Sequence, residues 1–169
     1  MCTEGKISRR NDPAVAACRT EVKLSYHAMA SPHTCRCLLT NDLLPSQTVI
    51  AVHLFKWGWH GRILVLGLTD VNDVRNDLPL WKPLEWAFDT SRLCIIYNEE
   101  RDQFIAHILE PHIMSVPLAA KGSEPMGHSW QPPVPRLRKL TFKDMHMQPL
   151  VFAPDSPLRP FKCVLNFQA

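Results

Sequence analysis

Apolar and polar residues alternate in short bursts along this chain and never settle into one long period. Cys35 to Thr40 and Thr48 to Phe55 are apolar or β-branched runs parted by Asn41, Asp42 and Pro45, the pattern of strand, turn and strand. Leu78 and Leu80 alternate around Pro79. Pro83 then stands where a first helical turn tolerates a residue without an N–H, ahead of Leu84-Glu85-Trp86-Ala87-Phe88. A short strand leading into a short helix is expected there. Arg92 to Tyr97 and Gln103 to Leu109 flank the polar stretch Asn98-Glu99-Glu100-Arg101-Asp102, which is the clearest hairpin signal in the sequence.

Between and around these elements the pattern fades. Residues 1 to about 20 are polar and mixed, so a loose or weakly helical arm is expected. Lys56 to Arg75 mixes Gly58, Gly61 and Gly67 with Trp57, Trp59, Asp70, Asn72 and Asp73 and reads as a long functional loop. Pro111, Pro117, Pro125, Pro132, Pro133 and Pro135 make 110–138 irregular in expectation. Phe161, Val164, Leu165 and Gln168 recur at helical spacing and predict a terminal helix over 159–169. The fold class is therefore α+β: strand, long loop, strand and short helix, then a hairpin, then a Pro-rich extension over 110–158 that ends in a helix.

Composition narrows this only a little. A chain of 169 residues with 46% hydrophobic and 21% charged side chains has the make-up of an ordinary globular protein, and one domain over 21–169 is the expectation. Fifteen prolines, against an average usage of about 5%, imply rigid extended connections. A formal charge of +3 is too small to point to nucleic acid by itself. No apolar run approaches the 18 or so residues that cross a bilayer, which argues against a membrane protein. Six scattered cysteines and an N-terminus without the basic start and apolar stretch of a secretory signal lead us to expect an intracellular chain, nuclear or cytoplasmic, with reduced thiols. Cys35 and Cys37 are too close for a usual zinc pair, and His107, His112, His128 and His146 lack ligand spacing.

The informative constellation is His53 at the end of an apolar run, Asn76 beyond the long loop, and Glu85, Phe88 and Asp89 in one short block. The order Cys37-Leu38-Leu39-Thr40, Ala51-Val52-His53-Leu54, Arg75-Asn76-Asp77-Leu78-Pro79-Leu80, Leu84-Glu85-Trp86-Ala87-Phe88-Asp89 resembles a divergent member of the HNH (ββα-metal) endonuclease family. The resemblance covers 37–89. It implies a nuclease that hydrolyses phosphodiester bonds in DNA with a divalent ion, Mg²⁺ or Mn²⁺, and with no organic cofactor. His53 would be the general base, Asn76 would tie the loop to the strand and keep His53 oriented, and Glu85 would offer a hard oxygen ligand to the metal.

The chain departs from the family pattern at named positions. Glu85 replaces the third His, and Val52 stands where many members place an acidic metal ligand just before the first His. Asp77 follows Asn76 where glycine is frequent, and Asn41 likewise replaces a glycine. Asn and Asp tolerate the left-handed turns that glycine serves. Around this cleft Lys56, Trp57, Trp59, Arg62 and Arg75 are the candidate contacts to nucleic acid, through phosphate charges and base stacking. Arg136, Arg138, Lys139 and Lys143 form a second basic run, a pattern equally usual on a solvated face. Trp81, Trp86 and Phe88 are expected in the core. The alternative reading is an inactive HNH-like scaffold that binds nucleic acid or protein, motivated by Val52 and Glu85.

Overall fold

The structure is a computed structural model that describes residues 13–55, 70, 72–122, 132 and 134–166. Helix α1 (Pro13–Ser25) opens on a proline, whose missing N–H has no partner to lose in a first turn. It runs straight through position 20, where the polar arm was expected to stop. The Ala14-Val15-Ala16-Ala17 stretch has enough helix preference to start the helix early. Its end is closed by His27 in the left-handed region at φ 52, with Ala28 N–H donating to Lys23 O at 2.9 Å and His27 N–H to Leu24 O at 2.9 Å. That bond pair is a Schellman cap built without glycine.

Three short strands, β1 (Met29–Ser31), β2 (Thr34–Arg36) and β3 (Leu43–Pro45), form a small antiparallel sheet in that order. The expected strand from Cys35 to Thr40 therefore stops at Arg36 and pairs with β3. Asn41 is the reason: at φ 59 it turns the chain, with its N–H on Cys37 O at 2.9 Å. β4 (Val49–His53) pairs instead with β5 (Asp77–Trp81), antiparallel, in the register Val49 to Trp81 through His53 to Asp77. Helix α2 (Lys82–Asp89) follows β5 without a linker, with Pro83 in its first turn.

β5 is buried along its whole length, and its outer edge is covered too. Leu38 N–H donates to Pro79 O at 3.0 Å, and Trp81 N–H donates to Cys37 Sγ at 3.2 Å. Pro79 has no N–H to orphan, so it costs the strand nothing at that point. Strands β6 (Leu93–Asn98) and β7 (Gln103–Ile108) form the expected hairpin. Residues 147–150 lie along β7, exchanging bonds between Met147 N and Ala106 O, Ala106 N and Gln148 O, and Leu150 N and Phe104 O.

The Pro-rich region is less irregular than expected. It holds a 3₁₀ turn (Pro111–Ile113), helix α3 (Leu118–Gly122) and a second 3₁₀ turn (Pro135–Arg138). Pro111 and Pro135 stand at helical first turns and Pro117 just ahead of one, so these prolines start helices. Helices α4 (Phe142–Met145) and α5 (Lys162–Asn166) complete the described chain. The architecture is mixed α+β, with small sheets and short helices around one apolar cluster. Tyr26, Leu38, Leu54, Phe55, Leu78, Leu80, Trp81, Leu84 and Phe142 are fully enclosed there, with Phe88 close behind. Trp86 is only half-buried, with the Arg92 guanidinium and the Lys121 ammonium each over its ring 4.8 Å from the centroid. All five described cysteines are free thiols. Among the described residues no helix is long and apolar enough to cross a membrane.

Candidate active site

The joint between β4 and β5 is made by one side chain. Asn76 closes the 3₁₀ turn Val74–Asn76, is fully buried, and accepts Phe55 N–H on Oδ1 at 2.8 Å while its Nδ2 donates to Phe55 O at 3.3 Å. Its backbone carbonyl takes Leu54 N–H at 2.7 Å. A carboxamide carries both an acceptor and donors, so it satisfies both backbone polar groups of one buried residue, Phe55. These bonds lock the register one residue beyond the strands, and that register decides what His53 faces.

Directly opposite His53 is Asp77. Residues paired across antiparallel strands project to the same face with Cβ atoms about 5 Å apart, so a His and an Asp so placed must meet. His53 Nδ1 lies 2.8 Å from Asp77 Oδ1. The separation is that of a charge-assisted hydrogen bond, while the alignment at the ring nitrogen falls short of one, so the contact is a close approach that becomes an ion pair when the ring is protonated. Asp77 is 1% exposed and His53 38%. Nδ1 is itself enclosed, so the exposed part of the ring is the side away from Asp77.

Asp77 has extended backbone at φ −127 and ψ 153. The left-handed turn considered for it does not form, unlike at Asn41; it is the first residue of a strand. The imidazole of His53 is raised above its ordinary value, first by Asp77 bonding to it, against the cost of burial, with Arg19 opposing and Asp89 adding. Asp77 is raised too, first by burial, with His53 pulling it back down. Its carboxyl has left water almost completely, and the His53 ring, a cation when protonated, is the group within ion-pair distance of it among the described residues.

His53 opens onto a cleft of about 350 Å³ between α1, β4 and α2, lined by Arg19, Ile50, Ala51, Val52, His53, Glu85 and Asp89. Glu85 and Asp89 are four apart on α2 and so lie on one helical face. The expected trio is thus divided: His53 and Glu85 share the cleft, and Asn76 sits in the joint behind it. Arg75 is committed elsewhere. Its Nε and Nη2 grip the Asp73 carboxylate at 2.9 and 2.6 Å, and its guanidinium lies 5.0 Å from the Phe161 ring centroid. Lys56, Trp57, Trp59 and Arg62 lie outside the described residues. In the second basic run, Arg136 bonds Thr40 O and the Asp42 carboxylate, and Arg138 Nε bonds Pro132 O.

Residues 37–96 match a family model described as HNH endonuclease. Over this segment the chain is similar to the HNH endonuclease family. No curated protein and no solved structure matches the chain. HNH endonucleases generally use a divalent metal, and the residues present fit that requirement only in one form. Among the described residues no three His, Cys, Asp or Glu side chains stand together as an ion's ligands, and Val52, at the position that is acidic in many HNH members, is apolar and buried. The cleft is lined by Glu85 and Asp89, two hard-oxygen carboxylates. Such a set suits an ion that keeps most of its own water.

Asp89 and Asp77 stand in the motif blocks of the sequence without a chemical role assigned to them there, and Arg19 is not singled out at all. Asp89 carried a signal, its four-residue spacing from Glu85 on a helix. Asp77 carried one only through the strand register. Arg19 had none, since nothing in the sequence says that α1 borders the cleft.

Proposed function

We propose that this is a divergent HNH-type endonuclease domain that hydrolyses phosphodiester bonds in DNA, with His53 as the general base. The observation that supports the reading is the placement of His53: one ring nitrogen is enclosed against a buried carboxylate, and the rest of the ring is open to a cleft that also holds two carboxylates. A neutral imidazole held in this way accepts a proton from water at near-neutral pH. A divalent ion, Mg²⁺ or Mn²⁺, held by Glu85 with Asp89, would neutralise the phosphate and stabilise the leaving oxygen. Asn76 fixes the height of His53 by closing the strand joint, and Arg19 adds a cation at the α1 side of the same cleft. Strand β4, strand β5 and helix α2 would then be the family's ββα unit, with α1 as the wall across from it.

A second reading, an HNH scaffold that binds nucleic acid without cutting it, is favoured by Val52 and by the lack of a three-ligand cluster among the described residues. Incubation of the full chain with supercoiled plasmid in Mg²⁺ or Mn²⁺, with EDTA and His53→Ala as controls, separates the two. Nicking that needs the ion and falls at least 100-fold in His53→Ala supports the nuclease. Intact plasmid with every ion, together with retained binding in a gel-shift assay, would move the assignment to the scaffold.

A further inference from the structure

The position after Asn76 is where this chain replaces a frequent family glycine with a carboxylate, and that carboxylate does not behave as a turn former. It sits at the head of β5, opposite His53, with 1% of its side chain exposed. Its Oδ1 faces His53 Nδ1, and its Oδ2 is enclosed with no hydrogen-bond partner among the described residues. A buried carboxylate left with half of its acceptors idle is costly, several times a net hydrogen bond, unless a cation answers it. The His53 ring is that cation when protonated.

We propose that Asp77 is the positioning residue of this site: its buried carboxylate holds His53 by Nδ1, which leaves Nε2 as the atom that faces the cleft and takes the proton. The inference rests on the reading of His53 as a general base, and it adds to that reading the residue that sets tautomer and ring orientation. A glycine at this position would leave Nδ1 without a side-chain partner on the opposite strand. An aspartate there supplies the role a third group plays for any catalytic histidine, fixing which nitrogen carries hydrogen.

The groups around the pair are consistent with this role. From α1, Arg19 faces both members and opposes protonation of each, while the Cys18 thiol is raised by burial first and by Asp77 second. Just after α1, the enclosed Tyr26 phenol is pushed well up by burial and by the charge of Asp77. From the turn before β5, Asp73 bears on Asp77, and from α2, Asp89 bears on His53 while Glu85 lines the cleft. Neither Cys18 nor Tyr26 can supply a positive charge. Arg19 forms no ion pair or hydrogen bond among the described residues, so His53 is the only cation within bonding distance of Asp77 in that set.

The test is a nitrogen-detected NMR titration of the His53 imidazole in the full chain, wild type and Asp77→Asn, with the chain's fold checked by its amide spectrum. In the wild type the neutral ring should carry hydrogen on Nδ1, and its midpoint should lie above that of a free imidazole. In Asp77→Asn the midpoint should fall back toward the free value, and the Nδ1–H form should lose its dominance. If the variant unfolds, the wild-type tautomer still decides: a neutral ring with hydrogen on Nε2 overturns the proposal. So does a midpoint unchanged by Asp77→Asn in a folded chain. Because neither readout needs turnover, a chain that cuts no DNA but shows the Nδ1–H ring would fail the nuclease reading alone. In an active chain, the acid limb of the kcat/KM profile should move to lower pH in Asp77→Asn with a lower plateau, whereas a merely structural loss lowers the plateau without moving the limb.

Discussion

Asn76 concentrates more structural consequence than any neighbour. Its carboxamide satisfies both backbone groups of Phe55 in a place water does not reach. Asn76→Ala removes both bonds and strands the polar groups they served, so we expect a loss of about 2–4 kcal/mol, read as a lower urea midpoint with an unchanged slope. That estimate exceeds the usual worth of two hydrogen bonds because the unsatisfied backbone groups of Phe55, not the missing attraction, carry the cost. At this scale the sequence was partly legible. His53, Asn76 and Glu85 are recognisable because their spacing is carried by the chain itself. Asp77 reads as a turn former in the sequence because its partner is the residue across the sheet, and cross-strand partners cannot be counted along a sequence.

Among the elements, helix α1 ends in an unusual way. His27 at φ 52 occupies the left-handed cap position that glycine normally fills, and a non-glycine residue there costs about 1 kcal/mol. Its side chain returns little, since the His27–Asp155 contact at 3.1 Å joins two exposed groups. His27→Gly should therefore raise stability by up to about 1 kcal/mol, seen as a higher Tm. A drop instead would mean that the exposed pair contributes more than its setting suggests. Strands β4 and β5, helix α2 and the β6–β7 hairpin were visible as apolar runs bounded by turn residues. The small sheet β1–β3 was only partly so, because Asn41 breaks one apolar run and hands its first half to a different partner. The helices of the Pro-rich region stayed hidden for a related reason: proline ends one helix and begins the next, and a sequence pattern alone does not say which.

At the scale of the whole molecule, stability should depend on pH through opposed groups. His53 holds its proton more tightly in the fold, so its contribution is fully present below the ordinary imidazole value of about 6.5 and is lost as pH rises through its raised folded value. His107 is lowered, first by burial and then by His146, so its contribution is present above about 6.5 and lost as pH falls through its depressed value. Asp73 is lowered by its bond to Arg75, so its share is present above about 4 and lost on further acidification. The stability deficit of His53→Gln relative to wild type should accordingly be larger at pH 6 than at pH 9 in denaturant melts. A deficit that grows with pH would contradict the raised imidazole.

The Asn76–Phe55 clamp has one more implication, for how such a chain can diversify. It closes the base of the segment that joins β4 to β5, and its two bonds hold the register of the strands from that end. Closing a longer connection adds only about 0.6 kcal/mol for each doubling of its length. A flexible insertion between Phe55 and Asp73 should accordingly cost little stability and leave the His53–Asp77 pairing in place, read as an unchanged His53 imidazole signal by NMR.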